Sequence, residues 1–457
     1  MGILNKIAQY KAYKKGVAHC TFNPYGPGVV RIHLVPPKFG IFKNPRYIVI
    51  LNGYYLMPLG YSWAVMLEKF MDEVNKFDCK PITDADKAEI VSQTVKNTLK
   101  VYPIMDKNLI LSDLNFMLST LFAVAKGNSP EINIEKMSVR KYASNMTAPH
   151  RMDLMVSAMT DEKGNWKCNQ KCLFCYAAGQ TESSKKELST EEWKLALSKL
   201  KKAGVPMVTF TGGEPTLRKD LPELVAYSKW FVTRLNTNGV NLTSELCEKL
   251  KEASLDSAQI TLYSCDEKIH NALVGSGHFS DTVEGIKNAL AAGLDISVNT
   301  PLCSLNSDYV KTLEFLHILG VRFVTVSGLI CTGNAMNGHD NYDLDAESLY
   351  NAVKDGVLFC FKNGMEINFT SPGLIDKGRL EKLGLNVPEC GACLSNMAIS
   401  PDGTVIPCQS WLNGKKNLGN ILSDDWKKIW NNEICKKLRN ADDNTALNCP
   451  FRTGWSD

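Results

Sequence analysis

Short apolar runs alternate with longer amphipathic stretches along the chain from about residue 150 onward. In the longer stretches the apolar residues recur at helical spacing, whereas the shorter runs are continuous or alternate with polar residues. Six of the shorter runs predict strands: Asp153–Ala158, Met207–Thr211, Phe231–Leu235, Ala258–Tyr263, Asp295–Asn299 and Phe323–Ser327. Strands that alternate with helices favour a parallel sheet, open or closed into a partial barrel, with active residues at the carboxyl ends of the strands.

One helix in this region has clear end signals. The sequence Ser189-Thr190-Glu191-Glu192 is a capping box, in which the first and last side chains each bond to a backbone N–H of the other. Gly204 is a typical stop at the C-terminus of a helix. We therefore predict a helix over residues 189–203.

The first 145 residues show a different order of elements, with strands first and helices afterwards. The runs Val29–Val35 and Tyr47–Leu59 predict strands, and Asn52-Gly53 inside the second run predicts a tight turn. Three predicted helices follow, at Ser62–Phe77, Thr83–Lys100 and Ser112–Lys126. This order is compatible with a small winged-helix module that recognises a peptide and equally with an α+β cap, and the sequence leaves both open.

Beyond about residue 345 the alternation gives way to turns, such as Pro401-Asp402-Gly403, and to one helix around Asp424–Arg439. We predict three domains, over residues 1–145, 146–345 and 346–457. The predicted fold class is α/β. It combines a partial (β/α)6 TIM-type barrel with an N-terminal α+β domain and a small C-terminal cap held by cysteines.

Composition and charge narrow the class of protein. The 457 residues are 44% apolar and 22% charged, which permits ordinary cores and excludes global disorder. The 52 basic and 48 acidic residues nearly balance, so charge gives no reason to expect nucleic acid as a partner. No continuous apolar run reaches the roughly 20 residues that span a bilayer, and the N-terminus lacks a secretory signal. We expect a cytoplasmic protein that binds no membrane.

The 15 cysteines are the first residues that indicate the chemistry of the protein. An odd number cannot all pair within the chain, and a reducing compartment also argues against a disulfide framework. Eight of them are interpreted as small buried hydrophobes: Cys20, Cys79, Cys247, Cys265, Cys303, Cys331, Cys360 and Cys435. The remaining seven fall into local groups: Cys168, Cys172 and Cys175, then Cys390, Cys393 and Cys408, then Cys449.

The first group follows the first predicted strand of the barrel. Its spacing, Cys168-x3-Cys172-x2-Cys175, places three thiolates within eight residues. Three thiolates can hold three corners of a cubane iron–sulfur cluster and leave one iron open, which is useful only when another ligand binds there. A structural zinc site with a distant fourth ligand is the alternative interpretation.

A second motif accompanies this group and completes a known pattern. Phe174 lies inside the cysteine group, and Gly212-Gly213-Glu214-Pro215 follows the second predicted strand. Together they resemble the signature of the radical S-adenosylmethionine (SAM) superfamily. The resemblance implies a [4Fe–4S] cluster on the three cysteines, bound to SAM through its amino and carboxylate groups. It further implies one-electron cleavage of SAM to methionine and a 5′-deoxyadenosyl radical, with an electron donor such as flavodoxin or ferredoxin.

The resemblance also suggests roles for single residues. The paired glycines would let the backbone approach SAM, and Phe174 would pack against the adenine or anchor its own loop. Asn236 and Asn238 after the third strand, and Ser264 after the fourth, resemble positions near SAM, although turn chemistry explains them equally well. Relatives often carry an arginine after a histidine in the following segment. Val274 stands at that position here, so the SAM carboxylate needs another partner.

The second cysteine group resembles an auxiliary-cluster domain. Cys390-x2-Cys393-x9-Gly-x4-Cys408 resembles the start of a SPASM domain, which caps many radical SAM enzymes. Cys449 is the expected fourth ligand, and Cys435 inside a helix is the competing one. A full SPASM domain continues with more cysteines, whereas an arginine stands three residues after Cys449. The resemblance implies one auxiliary [4Fe–4S] cluster in the shortened "twitch" form, with a zinc ribbon as the alternative.

Three further cysteines, Cys265, Cys303 and Cys331, each follow a predicted barrel strand. At that position one of them could return a hydrogen atom to a substrate radical, as an epimerase requires, although a packed thiol is the commoner explanation for each. Tyr263 and His270 are candidates for substrate contacts under the same alternative.

The sequence therefore predicts a radical SAM enzyme that abstracts hydrogen from its substrate. The family context favours a ribosomally made peptide that is crosslinked, thioether-linked or epimerised, with its leader bound by residues 20–130 through strand addition. A dehydrogenase or rearrangement enzyme acting on a small molecule is the alternative among enzymes. A zinc-stabilised binding protein without radical chemistry is the alternative outside them.

Overall fold

The computed structural model describes residues 10–23, 29–40, 46–77, 80, 82–128, 137–337 and 342–450. They form two compact units. One unit contains the described residues up to 150 together with 198–207 and 228–232, and the other contains the rest. Cys79, interpreted above as a buried hydrophobe, and Arg452, the arginine after Cys449, lie outside the described residues.

The first unit contains a four-stranded antiparallel sheet in the order β1-β2-β3-β4. Asn52 and Gly53 both have positive φ, 51° and 69°, and close the predicted hairpin between the third and fourth strands. The first strand was not predicted, because its sequence AHCTF has only five residues and gains its pairing from the second strand. The strands are β1 Ala18–Phe22, β2 Val30–Val35, β3 Tyr47–Leu51 and β4 Tyr55–Leu59.

Three helices follow this sheet, as predicted. Thr83 and Asp86 form a complete capping box at the second helix, with Asp in place of the usual Glu. The third helix begins five residues earlier than Ser112, because the Asp106 carboxylate accepts hydrogen bonds from the backbone N–H groups of Asn108 and Leu109. The helices are α1 Tyr61–Val74, α2 Asp84–Val101 and α3 Lys107–Ala125.

Among the described residues one helix, α3, is long and apolar enough by length and composition to cross a membrane. Its buried residues Ile110, Leu114, Met117 and Leu121 recur at helical spacing and belong to the core of this unit. A single helix of this kind is weak evidence for a membrane span, because core helices meet the same criterion.

The larger sheet has nine strands in the order β11-β10-β9-β8-β7-β6-β5-β12-β13. All six predicted strands are present, with ends that differ by at most two residues: β5 Arg151–Ser157, β6 Met207–Gly212, β7 Val232–Thr237, β8 Ser257–Thr261, β9 Asp295–Pro301 and β10 Phe323–Ser327. The sheet continues past residue 345, where we ended the barrel domain, because β11 (Glu366–Phe369) pairs with β10 in parallel.

Two short strands extend the opposite edge of this sheet. The strand β12 (Asn396–Ile399) pairs in parallel with β5, and β13 (Val405–Ile406) pairs antiparallel with β12. They form the hairpin that the turn Pro401-Asp402-Gly403 predicted. The cysteine-bearing segment therefore shares a sheet with the barrel strands.

Helices connect these strands. The capping box of Ser189 and Glu192 is present at the start of the first, and the predicted helix over 424–439 is two helices because Asn432 caps the second. The helices are α4 Thr190–Ala203, α5 Leu221–Tyr227, α6 Ser244–Glu252, α7 Glu267–Val274, α8 Phe279–Ala291, α9 Tyr309–Ile318, α10 Ala346–Lys362, α11 Lys377–Lys382, α12 Trp426–Trp430, α13 Glu433–Arg439 and α14 Asp443–Ala446.

The two faces of the larger sheet differ in chemistry. On one face the strands β8 to β10 present Ile260, Val298 and Val324, which are fully buried. On the other face they present partly exposed polar residues, among them Gln259 and Asn299. One face therefore belongs to the apolar core, whereas the other is polar and partly open.

Candidate active site

The first cysteine group lies in the loop after β5, and the C-terminal end of α7 holds this loop in place. The backbone N–H groups of Lys171 and Leu173 donate to the carbonyls of Val274 and Leu273, at 2.9 and 2.8 Å. Gly275 ends α7 with φ +62°, and a Cβ there would lie 2.4 Å from the Lys171 carbonyl oxygen. The close approach of this helix end to the cysteine loop therefore requires glycine.

Cys168, Cys172 and Cys175 lie within electrostatic reach of one another. Burial raises the pKa of all three thiols, to about 12 for Cys168. The charges of neighbouring thiolates contribute to the raised pKa of Cys168 and Cys172. The positive charge of iron stabilises the thiolate form, so a buried group of thiols that resists ionisation by itself is suited to holding iron.

Polar donors accompany these thiols. The Asn169 Nδ2 and Gln170 Nε2 atoms are buried and have no hydrogen-bond partner among the described residues. Buried donors without a partner are costly, and here they lie on the cysteine loop itself. Together with the three thiols they form a donor set that fits an anionic cluster and its ligand.

The two glycines of the second motif allow the ends of β5 and β6 to approach closely. A Cβ on Gly212 would lie 2.3 Å from the carbonyl oxygen of Ser157, and one on Gly213 would lie 2.8 Å from that of Ala158. Gly212 also has φ +141°, which L-residues rarely adopt. The glycines are thus required for packing within the protein, besides the approach to SAM that the resemblance implies.

The Glu214 carboxylate connects the end of β6 to the end of β7. It is fully buried and accepts hydrogen bonds from the Thr237 hydroxyl at 2.7 Å and the Asn238 backbone N–H at 2.9 Å. It also accepts hydrogen bonds from the backbone N–H and the hydroxyl of Thr216. Pro215 begins the short helical turn that follows Glu214. Burial raises the pKa of Glu214. The motif therefore fixes the relative positions of two strand ends.

Asn238 extends this connection to the cysteine loop. Its side-chain amide donates to the Asn169 side-chain oxygen at 2.7 Å. Asn236, which we expected after the strand, lies inside β7 and is partly exposed. The Ser264 hydroxyl accepts the Asp266 N–H at 3.0 Å, which is the turn chemistry considered above.

Phe174 anchors its loop in an apolar cluster. It is buried together with Tyr263, Cys303 and Leu329, and its ring centroid lies 5.5 Å from that of Tyr342. The anchoring role considered for Phe174 is therefore present, and its contact with adenine stays a prediction.

The segment after β8 departs from the family pattern as the sequence indicated. Val274 is buried, and its carbonyl serves the cysteine loop. His270 is fully buried, its Nδ1 accepts the Tyr263 N–H at 3.3 Å, and burial lowers its pKa to about 4. A neutral buried imidazole does not replace the missing arginine, so the partner of the SAM carboxylate lies elsewhere.

The three strand-end cysteines follow β8, β9 and β10, as expected. Cys303 is fully buried in the Phe174 cluster, whereas Cys265 and Cys331 are partly exposed. The backbone N–H of Cys265 donates to the Thr312 hydroxyl at 3.2 Å. Hydrogen return by any of the three stays a prediction.

The second cysteine group gathers around the β12–β13 hairpin. The Cys393 N–H donates to the Pro407 carbonyl at 3.1 Å, which fixes the base of the hairpin. Burial, followed by the charge of Cys390 and later that of Cys449, raises the pKa of Cys408. Residues from three separate segments therefore meet at this point.

Cys435 belongs to the same place. A hydrogen bond between its thiol and that of Cys393 lowers the pKa of Cys435, and burial and the same contact raise that of Cys393. The Arg439 guanidinium lies 3.3 Å from the Cys435 Sγ. The structure thus brings the expected ligand Cys449 and the competitor Cys435 to the same group.

Zinc, the alternative for both groups, needs a compact tetrahedral set of ligands. In the part of the chain that the structure describes, no three or more His, Cys, Asp or Glu side chains are arranged to hold a single metal ion. A cubane cluster is larger and separates its thiolates further, because each binds a different iron.

A charged group on the polar face of the larger sheet was not predicted from the sequence. The Arg151 guanidinium donates to both carboxylate oxygens of Asp153, at 2.8 and 3.2 Å, and Arg234 on β7 lies within electrostatic reach of both. The available signal was the presence of charges inside predicted parallel strands, which are usually apolar.

Comparisons with known proteins identify the family. Residues 167–316 match the family model of the radical SAM superfamily, and residues 390–450 match that of an iron–sulfur cluster-binding domain, SPASM. The chain is 30% identical over 285 residues to the mycofactocin maturase MftC of Mycolicibacterium smegmatis, which is 60% of this chain and 70% of that protein. The chain belongs to the radical SAM superfamily. It is an enzyme of that class, with SAM and [4Fe–4S] clusters as its cofactors.

Two further comparisons define the limits of this similarity. The chain is 37% identical over 134 residues to the Fe-coproporphyrin III synthase of Methanosarcina barkeri, a match that spans 29% of this chain and 34% of that protein. Streptococcus suis SuiB bound to the precursor peptide SuiA has a TM-score of 0.59 at 14% identity and covers 89% of this chain and 92% of its own. This structural similarity shows a shared fold and confirms the predicted fold class.

Proposed function

We propose that this enzyme modifies a ribosomally made peptide by hydrogen abstraction, through crosslinking, thioether formation or epimerisation. The observation that carries the proposal is the similarity to a mycofactocin maturase over 70% of that protein. The geometry supports the radical chemistry, because the cysteine loop after β5 and the Gly212–Pro215 motif after β6 lie at neighbouring strand ends joined by Asn238.

Cys168, Cys172 and Cys175 would hold the SAM-binding cluster, and Asn169 and Gln170 offer buried donors beside it. When bound, the cluster supplies the electron that cleaves SAM to a 5′-deoxyadenosyl radical, which abstracts a substrate hydrogen. Glu214 keeps the two strand ends in register, so that the backbone near Gly213 presents a fixed surface to SAM. The buried cluster around Phe174 excludes water from this side of the loop.

The auxiliary cluster would be held by Cys390, Cys393, Cys408 and Cys449 of the C-terminal cap. We keep the division into three domains, over residues 1–145, 146–345 and 346–457, as a proposal. A flavodoxin or ferredoxin would supply electrons, and we place the enzyme in the cytoplasm, with neither nucleic acid nor membrane as a partner.

The N-terminal unit would bind the leader of the peptide. Its outer strands are β1 and β4, and an extended leader can add a strand at such an edge. The order of four strands followed by three helices is compatible with a small winged-helix module and equally with an α+β cap.

A small-molecule substrate is the second candidate. It is favoured by the 37% identity to an Fe-coproporphyrin III synthase, although that match covers only 34% of the synthase. The two candidates differ in the need for a leader, because a small-molecule enzyme has no use for peptide recognition by the N-terminal unit.

The test is an anaerobic assay of the reconstituted enzyme with dithionite, SAM and peptides encoded beside its gene. We expect 5′-deoxyadenosine, and a peptide mass change of −2 for a crosslink or deuterium uptake from solvent for epimerisation. Alanine at Cys168, Cys172 or Cys175 is expected to abolish deoxyadenosine formation, whereas Cys360→Ala, outside both groups, preserves it. Deoxyadenosine formation that survives loss of the three cysteines would overturn the cluster assignment. Modification of a small molecule and of no peptide would favour the second candidate.

A further inference from the structure

The polar face of the larger sheet is unusual for a barrel, whose interior is normally filled with branched apolar side chains. Pairing in register aligns Thr261, Asn299 and Thr325 on this face, across β8, β9 and β10. The Gln259 amide donates to the Thr325 hydroxyl at 3.0 Å, and that hydroxyl donates to the Asn299 side-chain oxygen at 2.8 Å. The face therefore presents an ordered row of hydrogen-bonding groups.

Charged residues occupy the neighbouring part of the same face. The Thr211 side chain on β6 forms a hydrogen bond with Tyr176, and Tyr176 lies within electrostatic reach of Asp153 on β5. Thr211 therefore faces the same side of the sheet as Asp153. Because side chains alternate along a strand, Thr209, two residues before Thr211, faces that side too. Arg234 on β7 lies within electrostatic reach of both Arg151 and Asp153. The strands β5, β6 and β7 are neighbours in the sheet, and these side chains form one group.

The charges in this group do not balance. Arg151 occupies both oxygens of Asp153, which leaves Arg234 as an excess positive charge. Burial, followed by repulsion from Arg151, lowers the pKa of Arg234 to about 10, so the guanidinium remains protonated at neutral pH.

Two donors of this group lack partners. The Arg234 Nε and the Thr209 hydroxyl are buried without a hydrogen bond to any described residue. A buried charged donor without an acceptor is strongly unfavourable. Such an arrangement is maintained where a ligand completes it.

We infer that Arg234 binds a carboxylate of the substrate, while Gln259, Asn299 and Thr325 bind the neutral polar groups next to it. This inference rests on the proposed function, since it concerns the peptide segment that the enzyme modifies. We infer that this segment carries an acidic side chain. The planar guanidinium fork matches a carboxylate. A phosphate dianion would need a second free cation, and Asp153 already engages Arg151.

The carboxylate of SAM is the other possible source of the same chemistry, because the family arginine is replaced by Val274. The two sources make different predictions. A substrate site discriminates an acidic peptide from its amide, whereas a SAM site governs the affinity for SAM.

The experiment is isothermal titration of the full-length, anaerobically reconstituted enzyme with N-acetyl-glutamate N-methylamide and with the corresponding glutamine compound. We expect the wild type to prefer the acidic probe by about tenfold or more. Arg234→Gln is expected to abolish this preference, and Arg234→Lys to retain part of it, because lysine keeps the charge without the fork. Arg322→Gln removes an exposed arginine immediately before β10 and is the matched control, with the preference unchanged.

Three outcomes overturn the inference. One is a wild type that binds both probes equally, and another is an Arg234→Gln variant that still prefers the acidic probe. The third is an Arg234→Gln variant whose affinity for SAM falls while its affinity for the acidic probe is unchanged. That result would assign Arg234 to the binding of SAM. Iron content and thermal unfolding establish that Arg234→Gln folds, and Arg234→Lys serves if it does not. Deoxyadenosine formation by the variants shows separately whether the proposed radical chemistry stands.

Discussion

Glu214 illustrates how one residue can satisfy a family motif and a local structural need together. Its carboxylate is buried and accepts four hydrogen bonds, from groups of Thr216, Thr237 and Asn238. A carboxylate is the side chain that accepts this many bonds without presenting a donor of its own. The residue therefore acts on the site by holding two strand ends together.

Replacing Glu214 with glutamine should destabilise the second unit by about 2 kcal/mol, because the amide N–H₂ would face hydroxyl and N–H donors. Thr237→Val removes one of the four bonds together with the acceptor of the Gly239 N–H, and should cost about 1 to 2 kcal/mol. Anaerobic thermal unfolding of the reconstituted variants measures both. Equal stability of Glu214→Gln and the wild type would show that the four bonds do not fix the strand ends.

At the scale of elements, the loops are positioned by close backbone contacts. The end of β6 approaches the end of β5 because Gly212 and Gly213 lack a Cβ. The helix α7 approaches the cysteine loop because Gly275 also lacks a Cβ. These contacts place the cysteine loop and the Gly212–Pro215 motif at neighbouring strand ends.

Gly212→Ala should therefore be severely destabilising, by about 3 kcal/mol or more, since the new Cβ meets the Ser157 carbonyl and the backbone has positive φ. Gly277→Ala is the matched control, because it has nothing within 4 Å and no positive φ. Soluble yield, iron content and the unfolding temperature are the measurements. A Gly212→Ala variant as stable as Gly277→Ala would refute the packing argument.

For the whole molecule, the auxiliary group unites segments that are distant in the chain. Cys390, Cys393 and Cys408 surround one hairpin, Cys435 comes from α13 and Cys449 from the segment after α14. Five thiols meet where a cluster needs four, and the Arg439 guanidinium binds one of them, Cys435.

We expect Cys435 to support the group without binding iron. The wild type should contain about eight iron atoms per chain, Cys449→Ser about four and Cys435→Ser about eight, because two cubane clusters hold four irons each. Iron and sulfide analysis of anaerobically reconstituted protein decides between the two cysteines. Loss of about four irons in Cys435→Ser, with none in Cys449→Ser, would reverse the ligand assignment.

The predictions that succeeded came from local signals. Six barrel strands, the capping box of Ser189 and the Asn52-Gly53 hairpin follow from periodicity and turn chemistry within a few residues. The strand β1 and the early start of α3 were missed, since the first depends on pairing with β2 and the second on an unrecognised cap at Asp106. Arg234 was missed because a charge inside one strand gains meaning only beside its neighbours.

The amino-acid sequence alone determined the family, the alternation of elements and the identity of the cysteines, because cysteine spacing and hydrophobic periodicity are properties of consecutive residues. Only the tertiary structure decided what those residues meet across the chain. It brought Cys435 to Cys393, connected Glu214 to Asn238 and left Arg234 without an acceptor. These relations depend on strand order and register, which join residues far apart in sequence and which no short motif encodes.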